Sequence, residues 1–169
     1  MTKLTNQQLL DICNDRYFLR DGILYSKKTN AQLGCVGRDG YLKTMIYVDG
    51  SRFNITVHRI VYLMVYGNLP EFIDHINGDR RDNRIENLRP ATKSENSKNR
   101  LVSKNSTSGS KGVIYNKRST KPWNARIRTN GKMRSLGYYH TIEEATAVYQ
   151  KAALEYHGEY ASHTSRSDS

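Results

Sequence analysis

Residues Ile73 to Asn99 read IDHINGDRRDNRIENLRPATKSENSKN, and the punctuation of this stretch sets the architecture around it. Ile73-Asp74-His75-Ile76 reads as a short strand and Asn77-Gly78-Asp79 as a turn. Arg80 to Leu88 returns toward a second strand. Thr92 with Glu95 three residues on is a capping box, in which a hydroxyl and a carboxylate satisfy orphan backbone donors at a helix start. Strand, turn, strand and helix make a ββα unit. Asp74 and His75 stand together at the end of its first strand, Asn87 on the returning strand, and Asn96 just inside the helix.

Upstream, three Asp-Gly pairs (21–22, 39–40 and 49–50) punctuate the chain. Asp-Gly between apolar or β-branched runs favours tight hairpin turns, because both residues tolerate positive φ. Tyr17 to Leu19 and Ile23 to Tyr25 flank the first pair, and Tyr41 to Val48 and Phe53 to Val57 flank the third. The chain is therefore expected to start as antiparallel strands. Val57 to Tyr66 reads as a short buried helix, stopped by Gly67 and Pro70.

Downstream, Leu101 to Gly112 is rich in Ser, Asn, Thr, Gly and Lys and reads as a linker. Gly112 to Tyr115, Trp123 to Thr129 and Lys132 to Tyr139 read as three strands, with Asn130-Gly131 turning between the last two. Thr141 and Glu144 form a second capping box, opening a helix that Gly158 stops. Ala145, Val148, Tyr149, Ala152, Ala153 and Tyr156 line one face of that helix, suited to covering the sheet. The fold class is α+β: N-terminal antiparallel strands with a ββα unit, then a three-stranded antiparallel sheet packed on one helix.

The chain has 169 residues, with 27 Lys+Arg against 16 Asp+Glu, a net charge of +11 and a pI near 9.7. A hydrophobic share of 37% beside 25% charged residues is lean but globular. The most apolar stretch, Ile60 to Tyr66, is far short of the roughly 20 residues a membrane span needs. No secretory signal is legible, and Cys13 and Cys35 cannot make a zinc knuckle, so a reducing cytoplasm is the expected compartment. Lys93 to Arg134 holds twelve basic residues against Glu95 alone, so this block carries +11 and the rest of the chain sums to zero. Concentrated positive charge among aromatic and amide residues suggests a polyanion, most often nucleic acid; a solvated surface is the plainer alternative.

Phosphodiester cleavage needs a base to activate water, positive charge on the scissile phosphate, and help for the departing oxygen. Neutral imidazole supplies the base near pH 7, and a hard divalent ion on oxygen ligands supplies the rest. Adjacent strand residues point to opposite faces, so Asp74 and His75 can share a site only where the strand ends or twists. The chain here resembles the HNH nuclease family, in its phage homing-endonuclease branch. The resemblance is carried by Val57-His58-Arg59, Ile73 to Asp79, Asp82-Asn83, Glu86 to Arg89 and Ser94-Glu95-Asn96. It implies that His75 is the general base and that Asp74 and Asn96 hold one Mg²⁺ or Mn²⁺. It also implies that Asn87 orients His75 or braces the loop, and that His58 is structural. Many family members carry His where Asn96 stands, and asparagine oxygen favours Mg²⁺ over Zn²⁺. His140, His157 and His163 lie outside the unit and read as ordinary surface or helix residues.

The C-terminal region resembles the plant ethylene-response-factor (APETALA-type) DNA-binding domain. Gly112-Val113, Trp123, Ala125 to Arg128, Asn130 to Lys132, Leu136-Gly137, Thr141, Glu143 to Ala145 and Gly158 carry the likeness. It implies a sheet lying in the major groove, which at about 12 Å wide admits a β-ribbon. Trp123, Ala125 and Ile127 would face the helix, while Asn124, Arg126 and Arg128 would face DNA. A strict two-residue turn would put Arg134 on the helix side with Ile127, so Arg134 ranks below Arg126 and Arg128 as a reader. Lys111, Lys117 and Arg118 suit phosphate contacts, and Lys98 and Arg100 extend the basic surface.

The expected organisation is a nuclease domain over 1–100 with its ββα-metal unit at about 71–99, a linker over 101–111, a DNA-binding domain over 112–161 and a polar tail over 162–169. The expected activity is site-selective, metal-dependent cleavage of double-stranded DNA, one strand at a time by a monomer or weak dimer. No membrane or protein partner is indicated. Two rivals stay open: a non-enzymatic DNA-binding regulator on a nuclease scaffold, and a nuclease specific for DNA structure.

Overall fold

The computed structural model describes residues 4–98, 102 and 106–161. The chain divides into two compact units, Met1–Lys93 and Ser94–Ser169.

The first unit opens with helix α1 (Asn6–Arg16), not with a strand. Thr5 caps it through a capping box with Gln8, and Leu9 and Cys13, one turn apart, bury its inner face. Strands β1 (Tyr17–Arg20) and β2 (Ile23–Ser26) form the first hairpin, with Asp21 and Gly22 both at positive φ (51° and 73°) as a tight two-residue turn requires. Strands β3 (Cys35–Val36), β4 (Leu42–Val48) and β5 (Ser51–Thr56) make an antiparallel sheet in that order. Helix α2 (Val57–Tyr66) follows directly and ends on Gly67 in the left-handed region, as the sequence predicts. It is the centre of the core, where Ile60, Val61 and Leu63 pack with Cys13, Leu24, Ile46, Ile73 and Leu88.

Strand β6 (Phe72–His75) pairs antiparallel with β7 (Leu88–Ala91), aligning Asp74 with Arg89 and His75 with Leu88. The return from Arg80 is not a strand. Side chains of Asn77, Asp79 and Asp82 bond backbone and one another, curling the chain into turns and a 3₁₀ turn over Ile85–Asn87. Asn87 therefore closes that turn instead of standing on the returning strand. Helix α3 (Lys93–Lys98) begins immediately after Thr92.

In the second unit, β8 (Val113–Tyr115), β9 (Trp123–Thr129) and β10 (Lys132–Tyr139) form an antiparallel sheet with β9 in the middle. Asn130 and Gly131 turn the β9–β10 hairpin at positive φ, and Arg134 pairs opposite Ile127 as a strict two-residue turn requires. The pairing then slips by one residue between Ser135 and Gly137, a β-bulge. Helix α4 (Ile142–His157), capped by Thr141 and Glu144, lays Ala145, Tyr149, Ala152 and Ala153 against Val113, Ala125 and Ile127. Tyr156, expected on the buried stripe, is exposed. Part of the expected linker is ordered: Ser108 Oγ donates to the carbonyls of Ser110 and Val113, tying residues 108–113 into a turn. The polar tail over 162–169 and part of the linker lie outside the described residues. Among the described residues no helix is long and apolar enough to cross a membrane.

Candidate functional site

Strand β6 ends with two buried ionisable side chains in succession, Asp74 and His75, each 4% exposed. Their partners differ, as expected of neighbours on a pleated strand. Arg89, opposite Asp74 in the β6–β7 register, donates from Nε (3.0 Å) and Nη2 (2.9 Å) to Asp74 Oδ2. Burying a carboxylate is costly unless such a partner meets it. His75 meets other groups: Nε2 lies 3.0 Å from Asn83 Oδ1, and the ring stands edge-on to His58 with centroids 5.0 Å apart. Tyr41 packs against both imidazoles, at 5.2 Å from His58 and 5.8 Å from His75, with the Arg80 guanidinium 4.8 Å over its own ring.

Burial pulls the His75 imidazole below its ordinary range, against the Asn83 bond and the carboxylates of Asp74, Asp79 and Asp82. His75 is thus held as the neutral ring that a base requires. His58 is driven down to about 3, chiefly by burial and further by His75 and Arg59. Its Nε2 lies 3.5 Å from Thr56 Oγ1, and its buried Nδ1 has no hydrogen-bond partner among the described residues.

Asn87 braces the loop. Its Oδ1 accepts from the Asn77 N–H at 2.9 Å, and its Nδ2 donates to the Asp82 carbonyl at 2.7 Å and to Asn77 Oδ1 at 3.0 Å. Of the two roles the resemblance offers Asn87, its bonds to Asn77 and Asp82 are those of a brace, while Asn83 is bonded to His75. Asn83 and Arg89 belong to the stretch that carries the family resemblance, but the sequence assigns neither of them a role. The register of a hairpin starting at Asp74 would have pointed to Arg89; nothing local distinguishes Asn83 from Asn77 or Asn87.

Asn96 lies on α3, half-buried, in the second unit, whereas Asp74, His75, Asn83 and Asn87 belong to the first. Among the described residues no three His, Cys, Asp or Glu side chains cluster as a metal site. The expected donors are instead one carboxylate and one amide oxygen, a hard set that suits Mg²⁺ or Mn²⁺ chemistry.

On β9, Trp123, Ala125 and Ile127 turn toward α4, and Asn124, Arg126 and Arg128 occupy the opposite face. Arg128 is exposed; Arg126 is half-buried, its Nε without a hydrogen-bond partner among the described residues. Asn124 lies on the expected face but is held within the sheet. It is 7% exposed, and its Nδ2 donates to Ser135 Oγ (2.9 Å) and to the Gly137 carbonyl (3.0 Å), tying β9 to β10 across the bulge. Its row is completed by Ile114 and Tyr138, both exposed. Lys117 and Arg118 are exposed on the β8–β9 connection, Arg134 is exposed on β10, and Lys111 is half-buried ahead of β8. Lys98 ends α3, and Arg100 lies outside the described residues.

Comparison with known proteins bears on the first of these regions. The family model described as HNH endonuclease matches residues 56–98, from the start of α2 through α3. The chain is 31% identical over 106 residues to Protein 3.8 of Escherichia phage T7, covering 62% of this chain and 86% of that protein. An uncharacterised HNH endonuclease of Acanthamoeba polyphaga mimivirus is 34% identical over 108 residues, covering 62% of this chain and 54% of its own length. Among solved structures, the HNH homing endonuclease I-HmuI, described with DNA binding and cleavage, is similar at 28% identity and a TM-score of 0.43. That match covers 50% of this chain and 51% of the other.

Proposed function

The chain belongs to the HNH endonuclease family and is a nuclease, and from that premise we propose that it is a site-selective, divalent-metal-dependent DNA endonuclease of homing type. The observation that carries this reading is the pair of buried side chains at the end of β6, the His75 imidazole, which burial pulls below its ordinary range, and the Asp74 carboxylate beside it. His75 takes a proton from the attacking water. Asp74 and Asn96 would hold one Mg²⁺ or Mn²⁺, which when bound supplies positive charge to the scissile phosphate and the leaving 3′ oxygen. Asn87 keeps the connecting loop in shape.

In this reading residues 1–100 cut and 112–161 read. The second region resembles an ethylene-response-factor-like domain, with Arg126 and Arg128 reaching base edges and Lys111, Lys117, Arg118 and Arg134 meeting phosphates. Lys98 and Arg100 would add phosphate contacts by their charge. Asn124 has its amide committed within the sheet and is better read as a strut. A monomer with one such centre nicks one strand. The test is nicking of supercoiled plasmid with Mg²⁺ and with EDTA. Cleavage should require the metal, and His75→Ala should lower the rate by roughly 10²–10⁴-fold while DNA affinity stays nearly intact. Unchanged cleavage by His75→Ala would end the mechanism.

A further inference from the structure

The polarity of a hydrogen-bond chain can be read from a member that acts only one way. The Arg81 carbonyl can only accept. Asn83 Nδ2 donates to it at 3.2 Å, which fixes the amide so that Oδ1 faces His75 Nε2 at 3.0 Å. An amide oxygen has no proton to give, so Nε2 must be the donor. The neutral ring then carries its lone pair on Nδ1. Both residues are buried, Asn83 at 6% exposure, so bulk water does not compete for the bond. Asn83 is itself held. It follows Asp82, whose carboxylate is gripped by Arg84 (2.8 Å) and by Asn77 Nδ2 (2.9 Å), and whose carbonyl accepts from Asn87 Nδ2. On the other side, Tyr41 and His58 confine the ring.

We propose that Asn83 is the positioning residue of the nuclease centre: it holds His75 as the Nε2–H tautomer, so that Nδ1 is the atom that receives the proton from water. When the proton moves, water becomes hydroxide and the ring becomes imidazolium, with Nε2–H still bonded to Asn83 Oδ1. A ring in the opposite tautomer would present a proton where the lone pair is required, and no base would be available. Asn87 then acts at one remove, by fixing the loop on which Asn83 stands. The inference rests on His75 being the base, but the tautomer is measured without catalysis.

The experiment is long-range ¹H–¹⁵N correlation of the histidine rings in the full chain without added metal, near pH 8, beside plasmid nicking with Mg²⁺. The wild type should show His75 as a single tautomer protonated at Nε2, with that proton exchanging slowly with water. Asn83→Leu should speed that exchange, mix the tautomers and lower nicking by about ten-fold or more, up to the roughly 10²–10⁴-fold that general base catalysis supplies in full. Asn83→Asp retains an oxygen acceptor and should restore the Nε2–H tautomer and raise the rate above that of Asn83→Leu. Protonation at Nδ1 in the wild type overturns the proposal. So does a folded Asn83→Leu that loses nicking with its His75 nitrogens unchanged, because the loss would then be loop damage alone. If Asn83→Leu fails to fold by circular dichroism, the wild-type and Asn83→Asp spectra decide. Full activity in His75→Ala would remove the base reading and leave the tautomer result standing.

Discussion

His58 lies buried among Thr56, Tyr41 and His75, with its imidazole driven down to about 3 by burial. In the unfolded chain the same ring titrates near 6.5. Between those values the unfolded state binds the proton and the folded state does not, so acid favours unfolding. Stability should therefore fall as pH drops from about 6.5 toward 3, with a slope of up to about 1.4 kcal/mol per pH unit from this ring. His75 is shifted the same way and adds to the slope. Urea midpoints by circular dichroism between pH 7 and 5 should show a clear decline in the wild type and a shallower one in His58→Leu. Equal slopes would mean that His58 is protonated in the fold. The residue pairs around it show how far sequence reading reaches. Asp74, His75 and the loop amides are visible as a motif, but the partner of each is a matter of register and loop path. Arg89 meets Asp74 because β7 starts at Leu88 rather than earlier. Asn83 meets His75 because Asp82 is clamped to Arg84.

The elements of the second unit were legible because turn chemistry and alternation agree there. Asn-Gly sets the hairpin, two capping residues start α4, and small residues at helical spacing mark its inner face. Gly112 shows why the sheet tolerates only glycine at its entry. Its φ is +68°, and a Cβ there would overlap the Tyr149 ring of α4. Gly112→Ala combines left-handed strain with overpacking and should cost at least about 2 kcal/mol, read as a lowered thermal midpoint. A variant as stable as wild type would show that α4 can shift away from the sheet. Helix α1 was missed for a physical reason. Asn6–Arg16 has apolar residues only at positions 9, 10, 12 and 13, and the Asp-Gly turns that follow pull the reading toward strands. Its capping box, Thr5 with Gln8, carries the same signature as those recognised at Thr92 and Thr141. Arg80 to Leu88 reads as returning toward a strand because its Asx turns leave no apolar period to contradict one.

Charge is organised at the scale of the whole molecule. The block from Lys93 to Arg134 carries the entire net charge of +11, and all but its first residue falls in the second unit. DNA affinity should accordingly fall steeply with salt, with a log–log slope near −0.9 for each phosphate neutralised. Lys117→Ala and Arg118→Ala should each flatten that slope by about one and weaken all sequences alike. Arg128→Ala should instead relax preference at particular bases by about 1–3 kcal/mol, measured by binding to a substituted duplex series. Uniform weakening by all three would make the C-terminal sheet a nonspecific anchor. One more consequence follows from the position of Trp123, the chain's single tryptophan, beside Tyr115 at the start of that sheet's central strand. Indole emission is an eye that sees one half of the protein. If the C-terminal sheet engages DNA as proposed, a fluorescence titration should register it while staying blind to events around His75. An emission-monitored melt can likewise look intact after the half that holds His75 has come apart.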